Sequence, residues 1–173
     1  MLPPVVIIRH PKERLSKCSL EPLRGHWPRL HFYKGTDAFR YDARRHLLLA
    51  VDAPLIAPED ATLDPDEYPG AGSTPAPQAS PAAVPWPGAV HEALAHGRRP
   101  LLLLDATWRL VPQLEACLLN PRAARARSLP PVPTAYPRVS KIAEDPASGL
   151  ASVEALYLAL RQLGHDEPAL LAH

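Results

Sequence analysis

The sequence predicts an α/β fold: a mostly parallel sheet with helices on both faces. Three short apolar runs carry that expectation: Val5–Ile8, Leu47–Val51 and Leu101–Leu104. None of them alternates with polar residues, which is the pattern of central parallel strands buried on both sides. Helical periodicity follows the last run, most clearly at Leu150, Val153, Leu156, Tyr157, Leu160 and Leu163, with Gly164 as a stop.

Taken in order, the first run is β-branched and ends at Arg9-His10-Pro11. A basic loop follows, with Arg9, Lys12, Arg14 and Lys17 close together. The second run starts after Arg44-Arg45-His46 and stops at Asp52-Ala53-Pro54. Nine prolines then fall between Pro54 and Pro87, in a stretch whose first half is acidic. Proline fixes φ and donates no hydrogen bond, so residues 62–87 read as a long loop or linker, either a spacer or a lid. Further helices are expected over Gly88–Gly97 and Arg109–Leu119. The organisation expected is an N-terminal α/β part over 1–61, the Pro-rich span 62–87, and a C-terminal part over 88–173 that forms one unit with the first.

Composition narrows the function classes. The chain has 173 residues and a net charge of +1, so bulk charge points to no polyanionic partner. Two cysteines cannot make a disulfide framework or a complete zinc site, so no metal is expected. No apolar run approaches a membrane span and no signal-peptide core is read at the N-terminus, so a cytoplasmic protein is expected. Walker and GxGxxG loops are absent, which removes support for nucleotide hydrolysis and dinucleotide redox chemistry.

Four segments concentrate chemistry. Leu101–Leu104 delivers Asp105, Ala106, Thr107 and Trp108 to the carboxyl edge of a strand, where ligands bind in open α/β sheets. Asp105 or Thr107 serves equally as an N-cap for the next helix. Residues 129–138 hold Pro130, Pro131, Pro133 and Pro137 beside Tyr136 and Arg138, after Arg122, Arg125 and Arg127. That grouping suits a nucleic-acid backbone and a stacked base, or a plain solvated arginine face. Gly149 to Ser152 approaches a helix N-terminus, whose N–H groups suit a carboxylate or phosphate; Glu154 in the first turn suits the dipole. Finally, Arg9-His10 after a strand is compatible with a phospho-accepting histidine, although Pro11 stands where histidine phosphatases carry glycine.

Together these segments resemble a known superfamily. Asp105-Ala106-Thr107-Trp108 is similar to the Asp-x-Thr-Trp signature of DTW-domain proteins. Lys17-Cys18-Ser19, Ile56-Ala57-Pro58-Glu59-Asp60, Leu129-Pro130 and Ala151-Ser152-Val153-Glu154-Ala155 follow the order of the ribosomal RNA aminocarboxypropyltransferases. His10-Pro11-x-Glu13 resembles the His-Pro-x-Glu of tRNA-uridine members. The resemblance implies a SPOUT-like fold with a C-terminal trefoil knot and S-adenosylmethionine as cofactor. It also implies transfer of the 3-amino-3-carboxypropyl group to uridine N3 in structured RNA, tRNA or rRNA.

Carried onto this chain, the resemblance makes Ser19, Leu104, Thr107, Trp108, Leu129 and Ser152 cofactor contacts, and Asp105 the group that draws the N3 proton. Arg9, Lys12, Arg14, Arg122, Arg125, Arg127, Tyr136 and Arg138 become the RNA contacts, in a monomer or weak dimer. The chain departs from the family in Asp-Ala-Thr-Trp against Asp-Cys-Ser-Trp of the rRNA group, and in lacking the N-terminal cysteines of many tRNA-modifying relatives. A methyltransferase on the same fold and a non-catalytic RNA- or cofactor-binding module are the competing expectations.

Overall fold

The structure, a computed structural model, describes residues 2–34, 40–67, 84–107, 109–135 and 150–172. They form a five-stranded sheet of β1 (Val5–Arg9), β2 (Leu30–Lys34), β3 (Leu47–Leu49), β4 (Leu101–Asp105) and β5 (Arg125–Arg127). Every pairing is parallel and the order is β2-β1-β4-β3-β5. β1 and β4 lie in the middle, in register from Val5 opposite Leu101 to Arg9 opposite Asp105.

The unbroken apolar runs are explained by what covers each face. Successive strand residues point to opposite sides. Val5, Ile7, Leu47, Leu101 and Leu103 therefore pack with Val153, Leu156 and Leu160 of α3 (Ser152–Gln162). Val6, Ile8, Leu48 and Leu102 pack on the other face with Val90 and Leu94 of α1 (Gly88–Ala95) and Leu114 of α2 (Val111–Cys117). Each such burial stabilises by about 1.5–3 kcal/mol before the entropy of ordering is counted.

Helix ends follow local chemistry. α3 stops where Gly164 takes φ 87, with His165 N–H bonded to Leu160 O and Gly164 N–H to Arg161 O. That is the Schellman pattern, and Gly97 repeats it after α1 with φ 67 and Arg98 N–H on Ala93 O. α2 is shorter than expected over Arg109–Leu119. Leu118 is already extended at ψ 148, and Leu119 bridges to Asp42.

Two strands escaped the sequence reading, and both are sheet edges. β2 mixes Leu, His, Phe, Tyr and Lys and is half-buried. β5 is Arg-Ala-Arg, expected as part of a solvated or RNA-facing patch. The expected loop over 62–87 is also anchored at its described ends. Leu63 is buried, and its N–H bonds Gly97 O at 2.8 Å. At the far end Val84 bridges to Tyr41, and Trp86 Nε1–H donates to Asp42 O at 2.8 Å. Residues 68–83 lie outside the described residues.

Candidate active site

At the carboxyl ends of the strands opens a pocket of about 1260 Å³. Its walls are the segments following β1, β3, β4 and β5, together with the start of α3. Ser19, Leu104, Thr107, Leu129, Ser152 and Asp105, all expected at a site, line this one space. Trp108 lies outside the described residues. Apolar surface comes from Leu49, Leu104, Ala126 and Leu129. Among the described lining residues, Glu13, Asp52, Asp105 and Glu115 carry carboxylates and Arg127 the one guanidinium.

Asp105 is the junction of the site. It ends β4 beside Arg9 at the end of β1, because the two strands are in register and of equal length. Arg9 Nε–H donates to Asp105 Oδ2 at 2.9 Å, and Ser152 Oγ–H donates to Oδ1 at 2.7 Å. The Cys18 thiol donates to Oδ2 at 3.1 Å. Burial, helped by the charge of Asp105 and opposed by Arg9, pushes that thiol up to about 12. Cys18 is thus a protonated donor at neutral pH, and a nucleophilic role loses its footing. Arg9 also donates to Glu21 Oε2 at 2.5 Å and to Cys18 Sγ at 2.8 Å.

The start of α3 is tied to two other segments and closed on itself by a third bond. Ser19 Oγ accepts the Val153 N–H at 3.1 Å and so caps the helix from a distant loop. Ser152 holds Asp105. Glu154 Oε2 accepts the Ala151 N–H at 2.7 Å, which is half of a capping box; Ala151 has no side-chain oxygen to complete it. The β1 loop and the β4 loop are clasped in the same manner. His10 N–H bonds Asp105 O at 3.0 Å, and Glu13 Oε1 accepts the Thr107 N–H at 2.7 Å.

The expected RNA contacts separate. Lys12 and Arg14 are exposed on the loop after β1, at the pocket end of the sheet. Arg9 is a correction: it is 3% exposed and ion-paired with Asp105 and Glu21, so it is an internal strut with no face for a phosphate. Arg125 and Arg127 are partly exposed and engaged from within the molecule. As residues i and i+2 of β5 they share a side and both reach the buried Asp60, at 3.2 and 2.8 Å, with Arg125 also paired to Asp64. The acidic stretch before the prolines thus engages these arginines. Arg122 is exposed but precedes β5, at the sheet edge opposite the pocket. Tyr136 and Arg138 lie outside the described residues.

Sequence reasoning met Glu13 only as part of a motif, missed Glu21, Asp52 and Glu115 as site residues, and placed Arg9 outside. One signal was available. Val-Val-Ile-Ile-Arg and Leu-Leu-Leu-Leu-Asp are matching apolar runs ending in opposite charges, as adjacent in-register strands require. Among the described residues no group of three His, Cys, Asp or Glu is placed to hold a metal ion, and no helix is long and apolar enough to cross a membrane.

No protein-family model matches the chain, and no curated protein does. Among solved structures it is similar to the SAM-dependent rRNA:acp-transferase Tsr3 from Vulcanisaeta distributa. The match covers 99% of this chain and 71% of that one, with a TM-score of 0.58 and 19% identity. The likeness shows a shared α/β fold.

Proposed function

We propose that the protein transfers the 3-amino-3-carboxypropyl group of S-adenosylmethionine to N3 of a uridine in structured RNA. The observation that carries this reading is the charge of the pocket wall, on a fold shared with an rRNA-modifying transferase: with Asp105 paired to Arg9 and Arg127 to Asp60, the carboxylates of Glu13, Asp52 and Glu115 leave the described lining acidic. Such a wall suits a ligand with a sulfonium and an ammonium and repels a polyphosphate. The donor set fits the remainder of that cofactor. Ser19, Ser152 and the start of α3 suit its carboxylate or ribose hydroxyls, and Leu104, Ala126 and Leu129 suit its adenine. When bound, the cofactor supplies an electrophilic carbon on sulfur.

The chain's own residues have two tasks. One is orientation: bond formation at N3 and rupture of the carbon–sulfur bond must lie in line, which rigid walls enforce. The other is removal of the N3 proton. Asp105 draws it through the Ser152 hydroxyl, which lines the pocket and already donates to Asp105 Oδ1. Lys12 and Arg14 stand where the RNA backbone passes the pocket mouth.

The test is incubation of the protein with unmodified tRNA and rRNA fragments and S-adenosylmethionine, followed by mass analysis of the nucleosides. An aminocarboxypropyl-uridine is expected; a methylated nucleoside, or no product with either RNA, overturns the reading. Asp105→Asn is expected to lose transfer while cofactor binding persists, and full activity in that variant removes Asp105 from the chemistry.

A further inference from the structure

We infer that Glu154 is a positioning residue, a latch that holds the proline-rich wall of the pocket against the start of α3. A glutamate in a first helical turn needs only one contact to serve as a cap. Here, among the described residues, the carboxylate makes at least three. Besides the Ala151 N–H, Oε2 accepts the Thr134 hydroxyl at 2.6 Å and Oε1 accepts the Ala135 N–H at 2.7 Å. The last two bonds cross to a segment about twenty residues away in sequence, so they do nothing for the helix itself.

That segment needs such a tether. Pro130, Pro131 and Pro133 have no N–H to give, so a ladder cannot hold it in place. Yet Leu129, Pro130 and Pro131 line one wall of the pocket, while Ser152 and Ala155 line the adjoining one. Glu154 does not line the pocket; it joins the two walls from behind. One carboxylate thereby sets the separation between the leucine–proline wall and the helix start. The choice of ligand rests on the function proposed above, but the latch itself does not.

The experiment uses the full chain and two substitutions. Thr134→Val removes a latch bond and leaves the Ala151 cap intact. Glu154→Gln keeps one acceptor oxygen and aims an N–H at a former donor. Hydrogen bonds to an ionised acceptor are strong enough that each variant is expected to weaken S-adenosylmethionine binding by about tenfold or more. The KM for cofactor rises accordingly, with kcat at saturation nearly unchanged, and Thr134→Val lowers the melting temperature by no more than about 10 °C, so the chain stays folded at the assay temperature. Wild-type affinity in Thr134→Val, or a Glu154→Gln variant that loses only thermal stability, overturns the latch. If the wild-type protein binds no S-adenosylmethionine, the proposed function falls and hydrogen exchange decides the latch. Faster exchange of the Ala135 amide in Glu154→Gln, with the α3 interior still protected, supports it; unchanged Ala135 exchange overturns it.

Discussion

Removing the Arg9 guanidinium should be among the most costly single changes in this protein. Arg9 and Asp105 side chains are 4% and 8% exposed and meet at 2.9 Å between the two central strands. Arg9→Met keeps the apolar stem of the side chain but removes the guanidinium and leaves Asp105 facing only neutral donors, Cys18 and Ser152. Breaking a buried pair from one side costs about 3–5 kcal/mol, because the remaining charge stays desolvated. At roughly 2–4 °C per kcal/mol for a chain of this size, the melting temperature should fall by roughly 6–20 °C. Urea unfolding at neutral pH reads the free energy directly, and a double-mutant cycle with Asp105→Asn isolates the pair. With the carboxylate already neutralised, Arg9→Met should cost about 1–3 kcal/mol less than it does alone. A cost under about 1 kcal/mol for Arg9→Met, or additivity within about 0.5 kcal/mol, refutes the reasoning.

Two further expectations rest on other parts of the molecule. His46 is fully buried, donating from Nδ1 to Arg44 O and accepting the Tyr41 hydroxyl at Nε2, and burial holds its pKa down to about 4. Its neutral form is the folded one. Its contribution is therefore intact above the unfolded value near 6.5 and is lost by about 1.4 kcal/mol per pH unit as pH falls towards 4. His46→Gln should flatten that slope in urea titrations between pH 6.5 and 4.5; a slope equal to wild type disproves the assignment. Lys12→Glu with Arg14→Glu should weaken RNA binding and lower its salt slope by about two or more, with cofactor affinity unchanged, whereas Arg122→Glu should do little. Equal losses from the two edges in filter-binding titrations would remove the RNA face from the pocket mouth.

The legible parts of the fold were those where one physical signal dominates. β1, β3 and β4 are buried on both faces, so their sequences are apolar without interruption. α3 shows a clean helical stripe and a glycine stop. β2 and β5 were illegible for the opposite reason: as edges they are half-buried, and their residues answer to side-chain partners more than to a core. Arg125 and Arg127 look like surface cations until Asp60, over sixty residues away, is placed beneath them. The site divides in the same manner. Ser19, Leu104, Asp105, Thr107, Leu129 and Ser152 were found as short patterns in order along the chain. Asp52 comes from the loop after β3 and Glu115 from α2, brought together only by the sheet order, and no local pattern records that; Glu13 stood in a quoted motif, but its place on the pocket wall did not show there. Arg9 was visible as a charge, but its direction depended on knowing its neighbour strand.

The paired ends of β1 and β4 also bear on how the sheet finds its alignment. Val-Val-Ile-Ile beside Leu-Leu-Leu-Leu is nearly indifferent to sliding, since every residue is apolar and both faces are covered. Such strands carry little information about which residue belongs opposite which. A slip of one position sets Arg9 against Leu104 and Asp105 against His10, and puts the two charges on opposite faces of the sheet. The charges closing the two runs thus act as a stop that selects one alignment among several of similar apolar burial. The same two residues that anchor the floor of the pocket therefore decide, during folding, that there is a pocket of that shape to anchor.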